Sequence, residues 1–231
     1  AMGAETIAKA CAARGIRNLV QMSAIGADPD SESKYARTKA LGETAARAAV
    51  PSAVVIRPSL VFGPDDHLFN RFAVMAGLTP VLPLPGGGHT RFQPVFVGDV
   101  AKAIAACVVD PATHGRTYEL GGPEVMTSRQ LMELVMRETG RRRLLVPLPW
   151  PLASLIGVAG DIQAKILPFP PVLTSDQVEL LKGDNVVSPG ALGLADLGVE
   201  PTAAEAILAT YLYRYRPGGQ FAEAPPAVLP A

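Results

Sequence analysis

The stretch RNLVQMSAIGADPDSESKYARTKALGETAARAAVPSAVVIRPSLVFG, residues 17–63, decides the fold. It opens with a short apolar run at residues 17–26, which reads as a buried strand. Turn residues follow in GADPDSES (26–33), then a helix from about Ser33 to Ala49. SAVVIRPSLVFG (52–63) is a second apolar strand. Upstream, residues 4–14 read as a helix ended by Gly15, which suits a left-handed cap. Helix, strand, helix, strand at these lengths implies right-handed crossovers and a parallel sheet with helices on both faces.

After Gly63 the rhythm changes. Residues 67–78 read as helical, and PVLPLPGGGHTRFQPVFV (80–97) as turn-rich and extended. The GGG at 86–88 reads as a flexible turn. Asp99 is placed to cap a helix over 100–110, and RTYELGG (116–122) is a further strand. Three capping boxes mark later helix starts: Thr127 with Gln130, Thr174 with Gln177, and Thr202 with Glu205.

The chain has 231 residues, 48% of them hydrophobic, and 21 basic residues balance 21 acidic ones. That balance leaves no electrostatic footprint for nucleic acid. Cys11 and Cys107 stand far apart without a CxxC, and His67, His89 and His114 lack ligand spacing, so no metal site is expected. The cysteine usage implies a reducing, cytoplasmic compartment, and the opening residues carry no signal-peptide pattern. LLVPLPWPLASLIGVAG (144–160) is the most apolar run. It is interrupted by prolines and too short for a span of about 20 apolar residues, so it reads as core or as a membrane or partner surface, not a transmembrane helix. Arg141 to Arg143 form either a solvated turn or a contact with anionic lipid or a partner.

Tyr35, Lys39 and Glu43 recur every fourth residue and so share one helix face. A free tyrosine ionises near pH ~10. An ammonium ~4 Å away at an effective dielectric of ~20 favours the phenolate by about 4 kcal/mol. This would lower the tyrosine pKa by up to about three units. Such a phenol exchanges protons with a carbonyl or alcohol oxygen, with Glu43 holding Lys39 and Ser23 offering a hydroxyl from the preceding strand. By itself the spacing is a weak motif and describes a solvated helix face better. The helix's place between two strands of a parallel sheet is what favours the cleft reading. Arg57, inside an apolar strand, requires a partner: an internal salt bridge, or a phosphate or carboxylate ligand.

YARTKALGE (35–43) followed by VVIRPSLVFGP (54–64) and TRFQPVFVGDVAKAI (90–104) resembles the short-chain dehydrogenase/reductase superfamily in its extended or atypical branch. A fuller resemblance includes MSAIGADPDS, YELGGPEVMTSRQLMELV, RRRLLVPLP, DQVELLKGDNVVS and LADLGVEPTAAEAIL. It is to the dehydrogenase-like accessory subunit of respiratory complex I and its bacterial relatives.

The resemblance implies a doubly wound, Rossmann-like α/β fold with a smaller C-terminal lobe. Residues 1–125 would form the C-terminal half of the dinucleotide-binding domain, 126–216 a mostly helical lobe and 217–231 a loose tail. It implies a catalytic set of Ser23, Tyr35 and Lys39, and a bed for NADP or NAD from these and Pro58, Ser59, Leu60 and Val61. Arg91 is a candidate substrate contact. The family's opening strand and Gly-x-x-Gly-x-x-Gly turn are not in this sequence. The expectation is therefore a fragment supplying the nicotinamide-side half of a site.

Two functions follow from the likeness. One is a nucleotide-holding component related to complex I, serving stability, assembly or redox sensing, with complex I subunits, ubiquinone and the membrane surface nearby. It would lie peripherally on the inner membrane, on the matrix side if mitochondrial. The other is an active oxidoreductase or epimerase on a hydroxyl or keto substrate.

Overall fold

Alternating apolar β-branched residues and alanine-rich helical stretches produce a layered α/β arrangement in the computed structural model, which describes residues 2–169 and 171–221. Helix α1 (Met2–Ala13) ends where Gly15 turns left-handed, at φ 69°. Strand β1 (Val20–Met22), helix α2 (Lys34–Ala49) and strand β2 (Val54–Pro58) follow. Then come β3 (Val61–Phe62), α3 (Leu68–Leu78), β4 (Val81–Pro85), β5 (Arg91–Phe92), β6 (Val95–Phe96) and α4 (Val97–Val109). After β7 (Thr117–Leu120) the chain forms β8 (Met126–Thr127), α5 (Ser128–Glu138), β9 (Leu144–Leu148), α6 (Trp150–Ile166), α7 (Ser175–Lys182) and α8 (Ala204–Leu212).

Strands β1, β2 and β7 pair in parallel in that order, with β2 central. Side chains alternate along a strand. Val54 and Ile56 therefore enter a core with Val100, Ala103, Cys107 and Tyr118 on the α4 face. The opposite face is covered by α2, against which α1 packs through Ala8, Ala46 and Val50. The expected parallel sheet with helices on both faces is thus present. The first strand is only half-buried, because it lies at the sheet edge, and the second splits into β2 and β3.

A second core joins α3, α5 and α8 through Phe62, Phe69, Leu131, Leu208 and Leu212. Residues of the stretch after α7 return to the sheet: Leu192 bridges Tyr118, and Leu194 and Val199 enter its core. The tail read as loose from residue 217 has a tight turn at Gly219–Phe221, and its remainder lies outside the described residues.

Several local expectations are corrected. Asp99 is not the cap of α4: the helix starts at Val97, placing Asp99 in its first turn, fully buried. There its Oδ2 accepts from the Thr202 amide at 2.7 Å, and Lys102 Nζ stands 3.6 Å from Oδ1. The capping boxes at Thr127 and Thr174 form, but that at Thr202 does not. Helix α8 begins two residues later, behind an Ala203 cap, and Glu205 pairs with Arg137 instead. The GGG turn is pinned rather than flexible. All three glycines have positive φ, and the Trp150 indole occupies the place a Gly86 Cβ would take, 2.1 Å away.

The apolar run at 144–160 is not ordinary core. Helix α6 turns its small residues inward: Ala153, Gly157 and Gly160 are buried. A Cβ on Gly160 would meet the Leu173 carbonyl at 1.9 Å, so only a hydrogen there lets the 171–175 segment lie so close. The large side chains face out, with Leu155 66% and Ile166 73% exposed. Among the described residues no helix is long and apolar enough to cross a membrane.

Candidate functional site

Ser33 starts α2. Its side chain accepts from the Ala36 amide at 3.3 Å, satisfying one donor that a helix start leaves open. Asp176, from the first turn of α7, accepts from the Lys34 amide at 2.6 Å and the Tyr35 amide at 3.2 Å. A carboxylate there is also favoured by the helix dipole. The two devices fix the turn that carries Tyr35.

Along α2, Ala36, Ala40, Glu43 and Ala46 form the buried face, while Tyr35 and Lys39 border a cleft. Glu43 therefore does not hold Lys39. It is buried and takes a two-pronged grip from Arg57, with Nε to Oε1 at 2.8 Å and Nη2 to Oε2 at 2.7 Å. Glu119 stands 3.7 Å from Arg57 Nη1 on the other side. The partner that Arg57 requires is thus internal. Ser23, itself buried, donates its hydroxyl to Glu43 Oε1. That proton points into the protein and leaves the serine oxygen as an acceptor.

The cleft has a volume of about 700 Å³ and lies beyond the carboxyl ends of β1 and β2, where open α/β sheets bind ligands. Ser23, Tyr35, Lys39, Pro58, Ser59, Leu60 and Val61 all line it. Arg91 is outside the lining. It grips Asp184 through Nε at 2.9 Å and Nη2 at 2.7 Å, and Asp184 does border the cleft. That ion pair holds the Asp184 carboxyl below its usual range, chiefly through the Arg91 hydrogen bond.

The Lys39 ammonium sits over the Tyr35 ring, 5.4 Å from its centroid. Such contacts stabilise by about 0.5–1 kcal/mol at exposed sites and act on the ring face, not on the oxygen. The expectation that Lys39 brings the phenol towards neutrality is overturned: burial pushes the Tyr35 phenol up. No described residue hydrogen-bonds the Tyr35 hydroxyl or the Lys39 ammonium, so both have open valences at the cleft.

Asn185 escaped the sequence reading. Its Oδ1 accepts from Ser59 Oγ at 2.7 Å, its Nδ2 donates to the Ile25 carbonyl at 3.3 Å, and its amide donates to the Arg91 carbonyl at 2.8 Å. One side chain thus ties the ends of β1 and β2 beneath the cleft. A Gly-Asp-Asn run reads only as a turn, and the partners lie far away in sequence. Glu43 did leave a signal: it falls seven residues after Ala36, on the face that alanines mark as buried.

A parallel sheet with helices on both faces and a cleft past its strand ends defines an α/β protein of the doubly wound class. The chain belongs to the NAD dependent epimerase/dehydratase family, whose sequence pattern matches residues 1–121. It is 37% identical over 210 residues to NADH dehydrogenase [ubiquinone] 1 alpha subcomplex subunit 9, mitochondrial, of Arabidopsis thaliana, covering 89% of this chain and 52% of that protein. It is 32% identical over 178 residues to the ceramide reductase of Caulobacter vibrioides, covering 74% of this chain and 53% of that one. Among solved structures, the UDP-glucose 4-epimerase of Thermotoga maritima superposes with a TM-score of 0.65 at 16% identity, covering 91% of this chain and 67% of that chain. The last likeness concerns the fold alone. The chain spans about half the length of these curated relatives.

Proposed function

We propose that this chain forms the nicotinamide-side wall of a dinucleotide site in a complex I-associated protein, and that it holds NADP or NAD rather than turning it over. The observation that carries this reading is the contrast within the Ser23, Tyr35 and Lys39 set. Ser23 has committed its proton to Glu43, while among the described residues none bonds the Tyr35 hydroxyl or the Lys39 ammonium at the cleft. A neutral phenol and an ammonium beside it suit ribose hydroxyls as hydrogen-bond partners. Leu60, Val61 and Ile104 offer an apolar bed for a flat ring. The fit covers that half of the cofactor; the described residues include no Gly-x-x-Gly-x-x-Gly turn to take a pyrophosphate. The relative in Arabidopsis supports association with complex I, and the outward apolar side chains of α6 support a peripheral place against its membrane-embedded parts.

The test is made on the intact protein. Its purified form retains NADP or NAD through gel filtration, co-purifies with respiratory subunits, and shows no hydride transfer across a panel of ketones, aldehydes and sugar nucleotides. Steady turnover of any of these would overturn the holding role.

The second reading is an active oxidoreductase or epimerase. It is favoured by the convergence of Ser23, Tyr35 and Lys39 on one cleft and by the reductase relative. Under it, Tyr35→Phe abolishes turnover while cofactor affinity stays within about threefold, the scale of one neutral hydrogen bond. Unchanged turnover in that variant rejects it.

A further inference from the structure

On the lobe, away from the cleft and sharing no residue with it, a cavity of about 360 Å³ opens between α3, the turn after α5 and the segment following α8. Arg141, Arg214 and Arg216 line it, together with Val74, Leu78 and Pro217. Each guanidinium is anchored by a neutral acceptor. Arg141 Nε donates to the Tyr215 carbonyl at 3.0 Å, and Arg216 Nε to the Glu138 carbonyl at 2.8 Å. Arg214 Nη2 donates to the Pro64 carbonyl at 3.0 Å and to Asn70 Oδ1 at 2.7 Å. Among the described residues no carboxylate lies within salt-bridge distance of the three. The side chains of Glu138 and Glu205 are taken by Arg137.

Three like charges around one small cavity repel one another unless an anion joins them. The anchoring through Nε leaves the paired terminal nitrogens of Arg141 and Arg216 without a described partner, and that edge of a guanidinium matches a phosphate bidentately. Gly77 lies against the Arg141 guanidinium: an added Cβ would sit 3.8 Å from its Cζ and Nη2. Beside the charges, Val74 and Leu78 offer an apolar wall, Leu78 being 80% exposed.

We infer that this cavity binds a phosphate-bearing ligand whose apolar portion lies against Val74 and Leu78. A soluble phosphate ester and the headgroup of an anionic lipid share that chemistry, and the experiment separates them.

Phenyl phosphate is titrated into the intact protein by calorimetry. In parallel, the protein is sedimented with phosphatidylcholine vesicles with and without phosphatidic acid. Saturable binding of at least one probe is expected. It should weaken about tenfold or more in Arg141→Gln and in Arg216→Gln, the scale of a lost charge-assisted hydrogen bond, and stay unchanged in Arg142→Gln, the neighbour outside the cavity. Binding of phenyl phosphate alone identifies a soluble ester, and binding of phosphatidic acid vesicles alone a lipid. Equal weakening in Arg142→Gln would show diffuse surface charge and overturn the site, as would failure of both probes to bind. Because all three arginines also hold backbone carbonyls, arginine-selective phenylglyoxal labelling of the unaltered protein is read alongside by mass spectrometry. The bound probe must protect Arg141, Arg214 and Arg216 more than Arg142; equal labelling rejects the proposal.

Discussion

Ser23 gives its hydroxyl proton to Glu43, and Glu43 is gripped by Arg57. The serine that borders the cleft is thus part of an ionic structure beneath it, and a substrate oxygen seeking a donor there must compete with a buried carboxylate.

Glu43→Leu should strand the Arg57 charge. A fully buried partner would cost about 3–5 kcal/mol. Arg57 is 27% exposed and retains Glu119, so we expect about 2–3 kcal/mol in urea unfolding, discounted for that solvent access. Adding Arg57→Met should recover most of the loss. A double variant as unstable as the sum of the singles would refute the coupling.

The tyrosines predict a pH dependence. Burial pushes the phenols of Tyr35, Tyr118 and Tyr211 up from their usual value. An unfolded chain releases these protons near pH ~10, whereas the folded one keeps them, so stability must fall as pH rises past that point. Phenolate absorbance should show a shortfall in the native protein that vanishes in denaturant. Normal titration of all five tyrosines would contradict the burial.

Gly160→Ala adds a helix-favouring residue, a gain of about 1 kcal/mol on propensity alone. The Leu173 carbonyl stands in the way of its Cβ, and we expect a net loss of about 1–3 kcal/mol from forced displacement. Gly183→Ala meets no atom within 4 Å at φ −104° and should be neutral or stabilising by about 0.5 kcal/mol. Thermal melts of the two variants moving together would negate the close seat of α6.

Asn185→Ala removes the tie between Ile25 and Ser59. Under the proposed function, dinucleotide affinity should fall about three- to tenfold, with a stability loss of about 1–2 kcal/mol, the cost of one or two buried hydrogen bonds. Affinity unchanged by calorimetry would remove Asn185 from the site.

Much of the architecture was legible from periodicity: the helix capped by Ser33, the strands on either side of it, and the capping boxes at Thr127 and Thr174. Local pattern failed where a distant atom decided the outcome. Thr202 and Glu205 have the spacing of a capping box, yet the Thr202 amide finds Asp99 and Glu205 finds Arg137. Tyr35 and Lys39 face the same cleft as their spacing suggested. Their electrostatic relation was misjudged because spacing gives no information on whether an ammonium meets an oxygen or a ring. The run 144–160 stayed open between core and surface for a related reason: hydropathy counts apolar side chains without saying whether glycines have taken the inner seats.

Helix α6 rests on the segment leading into α7 through those glycines, and α7 extends Asp176 to the turn holding Tyr35. The outward ridge of α6 and the cleft edge at Tyr35 are therefore joined by one run of contacts through α7. Leu155 and Ile162 on the exposed side of α6 thus share a helix with the glycines at the start of that run.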